Sequence, residues 1–317
     1  MTRAFVFPGQ GSQAVGMGQG LAEAFPAARL VFEEIDDALE QRLTRLMFEG
    51  PEADLTLTEN AQPALMAVSM AALRVLEAEA GLRLADKAAF VAGHSLGEYS
   101  ALAAAGTLQL ADAARLLKRR GQAMQQAVPV GEGAMAALLG VDLPAAMEIA
   151  EAALAAGKPG EVCATANDNA PGQVVISGSR AAVERALTLA AERGAKRSVL
   201  LPVSAPFHCS LMQPAADVMA EALATVALAM PAVPLVANVT AAAVSDPETI
   251  RRLLVEQVTG MVRWRESVLF MKEKGVTSLV ELGAGKVLTG LTRRIDRELD
   301  AAAVGQAADV EAVAKTL

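Results

Sequence analysis

Two textures alternate along this 317-residue chain: short apolar runs bounded by glycine or proline, and longer stretches with helical spacing. The apolar segment 2–7 ends in Pro8-Gly9-Gln10-Gly11-Ser12-Gln13, which predicts a first strand, a tight turn and a helix from about Met17. Residues 64–78 read as a long helix with Pro63 near its first turn, leaving Gln62 as either a cap or a pocket residue. The apolar run 88–92 then enters Gly93-His94-Ser95-Leu96-Gly97, and a Leu/Ala-rich helical pattern over 96–108 leaves it. That order is strand, sharp turn, helix. Another helix is predicted at 111–127, and the pattern breaks at 129–133.

From 134 to 203 the segments read as strand (134–141), helix (144–155), strand (162–166), strand (173–177), helix (180–193) and strand (197–203). This βαββαβ order predicts a small ferredoxin-like sheet, with Asn167-Asp168-Asn169-Ala170-Pro171-Gly172 as the hairpin loop between its middle strands. The larger texture resumes with the loop Ser204-Ala205-Pro206-Phe207-His208-Cys209, a helix from Leu211, a strand at 235–239 and a helix from Pro247. A last strand at 278–282 runs into Gly283-Ala284-Gly285-Lys286 and another helix. The predicted fold class is α/β: a large α/β-hydrolase-like catalytic unit with a mostly parallel central sheet, made from 1–128 and 204–317. A ferredoxin-like unit at 129–203 is inserted in it.

Composition narrows the function. Apolar residues make up 53% of the chain and aromatics only 3%, which suits close helix-on-sheet packing. A formal charge of −8 and the lack of a long Lys/Arg block argue against nucleic-acid binding, although Lys118-Arg119-Arg120 and Arg293-Arg294 are local basic patches. Two cysteines, Cys163 and Cys209, and two histidines cannot build a disulfide framework or a multi-cysteine metal site, so no metal is expected and a reducing cytoplasm fits. The N-terminus reads as a core strand, not a signal peptide. The most membrane-like stretch, 222–237, is broken by Thr225, Pro231 and Pro234, so no membrane association is expected. Gly9, Gly11 and Ala14 match a loose dinucleotide-binding pattern, yet LVFEEIDDALEQRL stands where an acidic ribose ligand should end a second strand.

Ser95 is the candidate nucleophile. Glycines on both sides let the backbone turn tightly and present the hydroxyl at the head of a helix, where free N–H groups can receive an oxyanion. A serine nucleophile needs a base. His94 is its sequence neighbour, with a side chain directed away from it, so His208 is the candidate. Asp217 and Asp246 could complete a triad, but neither lies in a recognisable acid loop, and the orienting partner stays open.

Seven fragments, GQGSQ, ENAQPAL, GHSLGEYSAL, RG at 120–121, PGQVVISG, PVSAPFHCSLM and ELGAGKVLTGL, follow one another across nearly the whole chain. Together they resemble the malonyl-CoA:acyl carrier protein transacylases, of the stand-alone bacterial type. The resemblance implies malonyl transfer from malonyl-CoA to acyl carrier protein through an ester on Ser95, with His208 as base and the backbone carbonyl of Gln257 orienting it. It implies an oxyanion hole from the N–H groups of Gln10 and Leu96, and pairing of Arg120 with the malonyl carboxylate. Gln62, Asn169 and Phe207 match positions near the substrate, Phe207 at a place that correlates with the size of the α-substituent, and His94 joins them as a candidate binding residue. Ala284 departs from the proline of many relatives. No cofactor is implied beyond the CoA thioester substrate; a monomer serving fatty-acid synthesis is the expectation. A serine hydrolase shares the elbow and base but ends in water, and a dead binding homologue should have lost Ser95, His208 or Arg120.

Overall fold

The computed structural model describes residues 2–317. Ten strands form two sheets among the described residues: β1 (Arg3–Phe7), β2 (Ala88–Gly93), β3 (Gly133–Leu139), β4 (Cys163–Ala170), β5 (Gln173–Ser179), β6 (Arg197–Leu200), β7 (Leu235–Ala237), β8 (Ala242–Val244), β9 (Ser278–Leu282) and β10 (Asp300–Val304). The larger sheet has the order β10-β9-β1-β2-β7-β8 and is parallel except for the β7–β8 pair. The smaller sheet, β4-β5-β3-β6, is antiparallel throughout and carries the helices Leu143–Ala155 and Arg180–Glu192. The α/β class and the two kinds of sheet are those the sequence predicts.

Alternation along β1 shows how the large sheet is buried on both faces. Phe5 and Phe7 join the core under the helix Thr58–Ala80, whereas Ala4 and Val6 face the other way, into a cluster with Trp264, Val268 and Met271. Strand order also locates the site. The chain steps outward from β1 through β2, β7 and β8, then crosses to the opposite side for β9 and β10. Parallel sheets that reverse direction in this way open a crevice at the carboxyl ends of their central strands. The register pairs Phe7 with Gly93, so the loop after β1 and the turn after β2 emerge side by side.

Four sequence expectations are corrected. The long helix starts at Thr58, not 64, so Pro63 lies inside it and Gln62 is a buried residue of its second turn instead of a cap. Its first turns are polar and read as loop, but they are packed against the helix Leu110–Gln126: a Cβ on Gly121 would come within 2.5 Å of Glu59 Cα. Second, Asn167, Asp168 and Asn169 belong to β4, and the hairpin loop shrinks to Pro171-Gly172. This polar run is extended because it also bonds to the large unit: Asp168 N–H donates to the Val262 carbonyl at 3.0 Å, and Val262 N–H donates to Ala166 at 2.9 Å. The buried Asp168 carboxylate pairs with Arg265 at 2.8 Å. Third, β9 is not the last strand. The alanine-rich segment of β10 has little strand propensity of its own and is extended by pairing on β9, from Asp300 opposite Ser278 to Val304 opposite Leu282. Fourth, the three-residue β8 carries no strand signal in the sequence pattern; it forms by antiparallel pairing on β7.

The role of the elbow glycines also differs from expectation. Neither Gly93 nor Gly97 adopts a positive φ; the left-handed residue is Ser95 itself, at φ 53°. A Cβ on Gly93 would lie 1.9 Å from the Gly97 carbonyl, and one on Gly97 would lie 2.2 Å from the Phe7 carbonyl. The glycines let β1, β2 and the elbow helix Gly97–Ala104 approach one another. Gly93→Ala is therefore expected to lower stability by at least ~3 kcal/mol in urea unfolding. Gly290→Ala, in a helix with open space around its Cα and no positive φ, should be neutral or stabilising by up to about 1 kcal/mol.

Candidate active site

The turn after β2 holds Ser95 through specific bonds. Ser95 N–H donates to Asn238 Oδ1 at 2.7 Å, and Asn238 Nδ2 donates back to the Gly93 carbonyl at 2.6 Å. Gly97 N–H is taken by the His94 carbonyl and Glu98 N–H by the Ser95 carbonyl. Among the described residues this leaves the Leu96 N–H without an acceptor, at the head of the elbow helix. In the neighbouring loop the Gln10 N–H is likewise unpaired among the described residues. Gly9 lets this loop lie close: a Cβ there would come within 2.8 Å of the His94 carbonyl. Two converging donors beside a serine hydroxyl can bind a tetrahedral oxyanion.

His208 arrives on the loop that returns from β6. Its Nδ1–H donates to the carbonyls of Gln257 at 2.9 Å and Gly260 at 3.1 Å. Carbonyl oxygens only accept, so the proton is held on Nδ1 and Nε2 is left as the acceptor for the Ser95 hydroxyl, 2.8 Å away. The orienting partner left open by the sequence is thus a pair of backbone carbonyls at the end of the helix Pro247–Thr259. Asp246 instead caps that helix by accepting from Thr249, and Asp217 accepts from Gln213 on the surface. His208, like Ser95, is left-handed, at φ 59°. Backbone strain of about 1 kcal/mol or more at each partner is typical of catalytic positions.

Arg120, from the helix Leu110–Gln126, is 1% exposed. Its Nη1 donates to Gln62 Oε1 at 3.0 Å, and its Nη2 donates to Gln257 Oε1 at 2.8 Å and to Ser95 Oγ at 3.2 Å. Among the described residues no carboxylate pairs with it and its Nε–H has no partner. Burial pushes the His208 pKa down to about 3, and the Arg120 charge adds to the shift; the Gln257 and Gly260 carbonyls oppose it. The imidazole is therefore neutral and able to take a proton.

A cleft of about 520 Å³ opens over these groups, lined by Gln10, Gln62, His94, Ser95, Leu96, Arg120, Phe207 and His208, with Met124 and Met135 on its apolar wall. Asn169 and Gln257 are not among the residues that line it. His94 Nε2–H donates to Asn169 Oδ1 at 2.8 Å, and the residue of β4 that lines the cleft is Asn167. Burial holds the His94 pKa below its usual value, with Asn169 opposing. Lys118 is bound to Asn60 and Glu59, and Arg119 faces Glu221 at 3.8 Å on the surface.

Sequence reasoning missed Asn238 and Glu98, both 1% exposed. A lone asparagine in the apolar run LVANV and a lone charged residue in an otherwise uncharged helix were the available signals.

An elbow serine paired with a histidine, two unpaired N–H groups and a buried cation facing the same cleft define an acyl-transfer enzyme. Residues 4–313 match the family described as acyl transferase domain, and the chain belongs to that family. It is 45% identical over 314 residues to the malonyl CoA-acyl carrier protein transacylase of Bacillus subtilis, covering 99% of this chain and 96% of the relative. The crystal structure of an acyl-carrier-protein-S-malonyltransferase from Bartonella henselae superposes with a TM-score of 0.96 at 58% identity, covering 100% of this chain and 99% of that one. A malonyl-transacylase in complex with its type II PKS acyl-carrier protein superposes with a TM-score of 0.95 at 43% identity, covering 100% of both chains. Among the described residues no helix is long and apolar enough to cross a membrane.

The depressed His208 pKa sets a pH dependence. Protonation blocks the base, so the rate falls only as pH drops through the folded-state value, far below the usual 6.5. Labelling of Ser95 by phenylmethylsulfonyl fluoride should keep its rate from pH 7 to pH 5. In Arg120→Ala the acidic limb should move up, because the neighbouring cation that opposes the imidazolium is gone.

Proposed function

We propose that this chain transfers malonyl from malonyl-CoA to the phosphopantetheine thiol of acyl carrier protein through an ester on Ser95. The reaction supplies fatty-acid elongation in the cytoplasm and uses no cofactor beyond the CoA thioester itself. The observation that carries the reading is Arg120, a buried guanidinium beside the elbow serine with no ion pair among the described residues. Burying a charge costs several kcal/mol unless a partner is supplied, and a malonyl carboxylate supplies one. A guanidinium can receive it through two parallel hydrogen bonds, which orients the acyl group as well as binding it.

His208 Nε2 takes the Ser95 proton as Oγ attacks the thioester carbonyl, and the developing oxyanion is met by the N–H groups of Gln10 and Leu96. Collapse breaks the carbon–sulfur bond, and the imidazolium returns the proton to the CoA sulfur. The carrier thiol then gives its proton to His208 and attacks the ester; collapse restores the Ser95 hydroxyl and releases malonyl carrier protein. A carboxylate on Arg120 also offsets the positive field that depresses His208, so an acyl group that fits the cation makes the base stronger.

Wild-type protein incubated with malonyl-CoA should gain one malonyl adduct in intact mass spectrometry, and Ser95→Ala should gain none; an unmodified wild type overturns the proposal. Release of free malonate at the same rate with and without carrier protein would mark a hydrolase. Arg120→Ala should lower kcat/KM for malonyl-CoA by at least ~100-fold while affecting acetyl-CoA far less, as expected when a buried charge pair loses one member.

A further inference from the structure

Beneath the dyad lies a buried acid that the transfer steps do not use. Glu98 sits three residues after Ser95 on the elbow helix and is 1% exposed. Its Oε2 accepts from Gln257 Nε2 at 2.8 Å and from Asn238 N–H at 3.2 Å. Among the described residues its carboxylate bonds to neither His208, nor Arg120, nor the Ser95 hydroxyl. The second N–H of the Gln257 amide donates to the Ser95 carbonyl at 3.0 Å.

We infer that Glu98 is a positioning residue for the acyl carboxylate: by accepting from Gln257 Nε2 it fixes the face that amide presents to Arg120, and so the orientation of the guanidinium. The inference rests on the proposed pairing of Arg120 with the malonyl carboxylate.

An amide has two different ends, an oxygen that accepts and an N–H pair that donates. Arg120 is held by two amide oxygens, those of Gln62 and Gln257, and by the serine hydroxyl. A guanidinium only donates, so an amide turned end for end would set N–H against N–H and release one arm of the fork. The Gln257 amide is prevented from turning because both its N–H groups face oxygens that accept, the Ser95 carbonyl and the Glu98 carboxylate. The carboxylate reads the amide most strictly when ionised. Burial opposes that form and pushes the Glu98 pKa up to about 7, while Gln257, Asn238 and the Arg120 charge favour ionisation. Asn238 links the same oxygen to the elbow backbone, so the acid, the amide and the serine turn move as one body. The Gln257 backbone carbonyl, which orients His208, is separate from this function of its side chain.

Glu98→Gln keeps the shape but can donate as well as accept. The expected result is a fall of about tenfold in the malonyl-to-acetyl ratio of kcat/KM, about 1.4 kcal/mol of discrimination. A merely structural role lowers both substrates alike, and an unchanged ratio overturns the inference. Gln257→Leu removes the amide and keeps the carbonyl; in that background Glu98→Gln should change the ratio less than twofold, and an undiminished effect overturns action through Gln257. If Glu98→Gln fails to fold, Glu98→Asp, one methylene short of the amide, should give the same loss of ratio, and an unchanged ratio in it overturns the inference. Arg120→Ala in the same assay separates the two claims. Loss of the ratio there with none in Glu98→Gln sinks the role of Glu98 alone, and no loss in either sinks the carboxylate reading with it.

Discussion

A guanidinium buried without a carboxylate is the constraint on which the rest of this site depends. Arg120 is hydrogen-bonded in the free protein only to neutral oxygens, and the nearest help to its charge is the Glu98 carboxylate one amide away, so the charge is incompletely compensated. Two consequences follow from the same field. The cation favours an acyl group that brings its own negative charge, and it adds to the burial that keeps the neighbouring imidazole neutral, an addition that such a charge offsets. Binding and base strength are therefore coupled through one side chain. The burial of both side chains, 1% exposed for Arg120 and 4% for His208, limits the screening of this coupling by solvent.

The serine is held under a second constraint, that of close approach. The elbow brings a strand end, a helix start and the loop after β1 within backbone contact, which only glycine at 93 and 97 permits. Ser95 and His208 both take left-handed backbone, and their strain is opposed by bonds made with elements distant in sequence: Asn238 for the serine, and the carbonyls of Gln257 and Gly260 for the histidine. An acid in the place of those carbonyls would have favoured the imidazolium. Neutral acceptors orient the ring and leave the pKa low.

The inserted sheet does more than cover the cleft. Its strand β4 is hydrogen-bonded to the large unit at Val262, and the Asp168–Arg265 pair lies beside that junction. Asn169 then reaches His94, the residue before the serine. The polar run 167–169 is thus a structural join between the inserted sheet and the segment at Val262, which explains why residues with a turn-like composition are extended here.

Much of the architecture was legible in the chain itself. Strands such as β1, β2 and β9 are short apolar runs ended by glycine or proline, and their burial on both faces leaves a local signal. The βαββαβ order of the second sheet could be read for the same reason. Strand β10, the first turns of the helix at Thr58 and the polar end of β4 could not, because each takes its conformation from a partner distant in sequence. At the site, Ser95, His208 and Arg120 stand in local motifs, so their residue types and spacing already pointed to acyl chemistry. The bonds of Asn238, Glu98 and the Gln257 side chain join residues 137 to 162 positions apart. Sequence by itself determined which chemical groups the protein carries and which elements present them. Tertiary structure alone decided their tautomer, orientation and charge state, because those depend on hydrogen bonds and burial that no local pattern encodes.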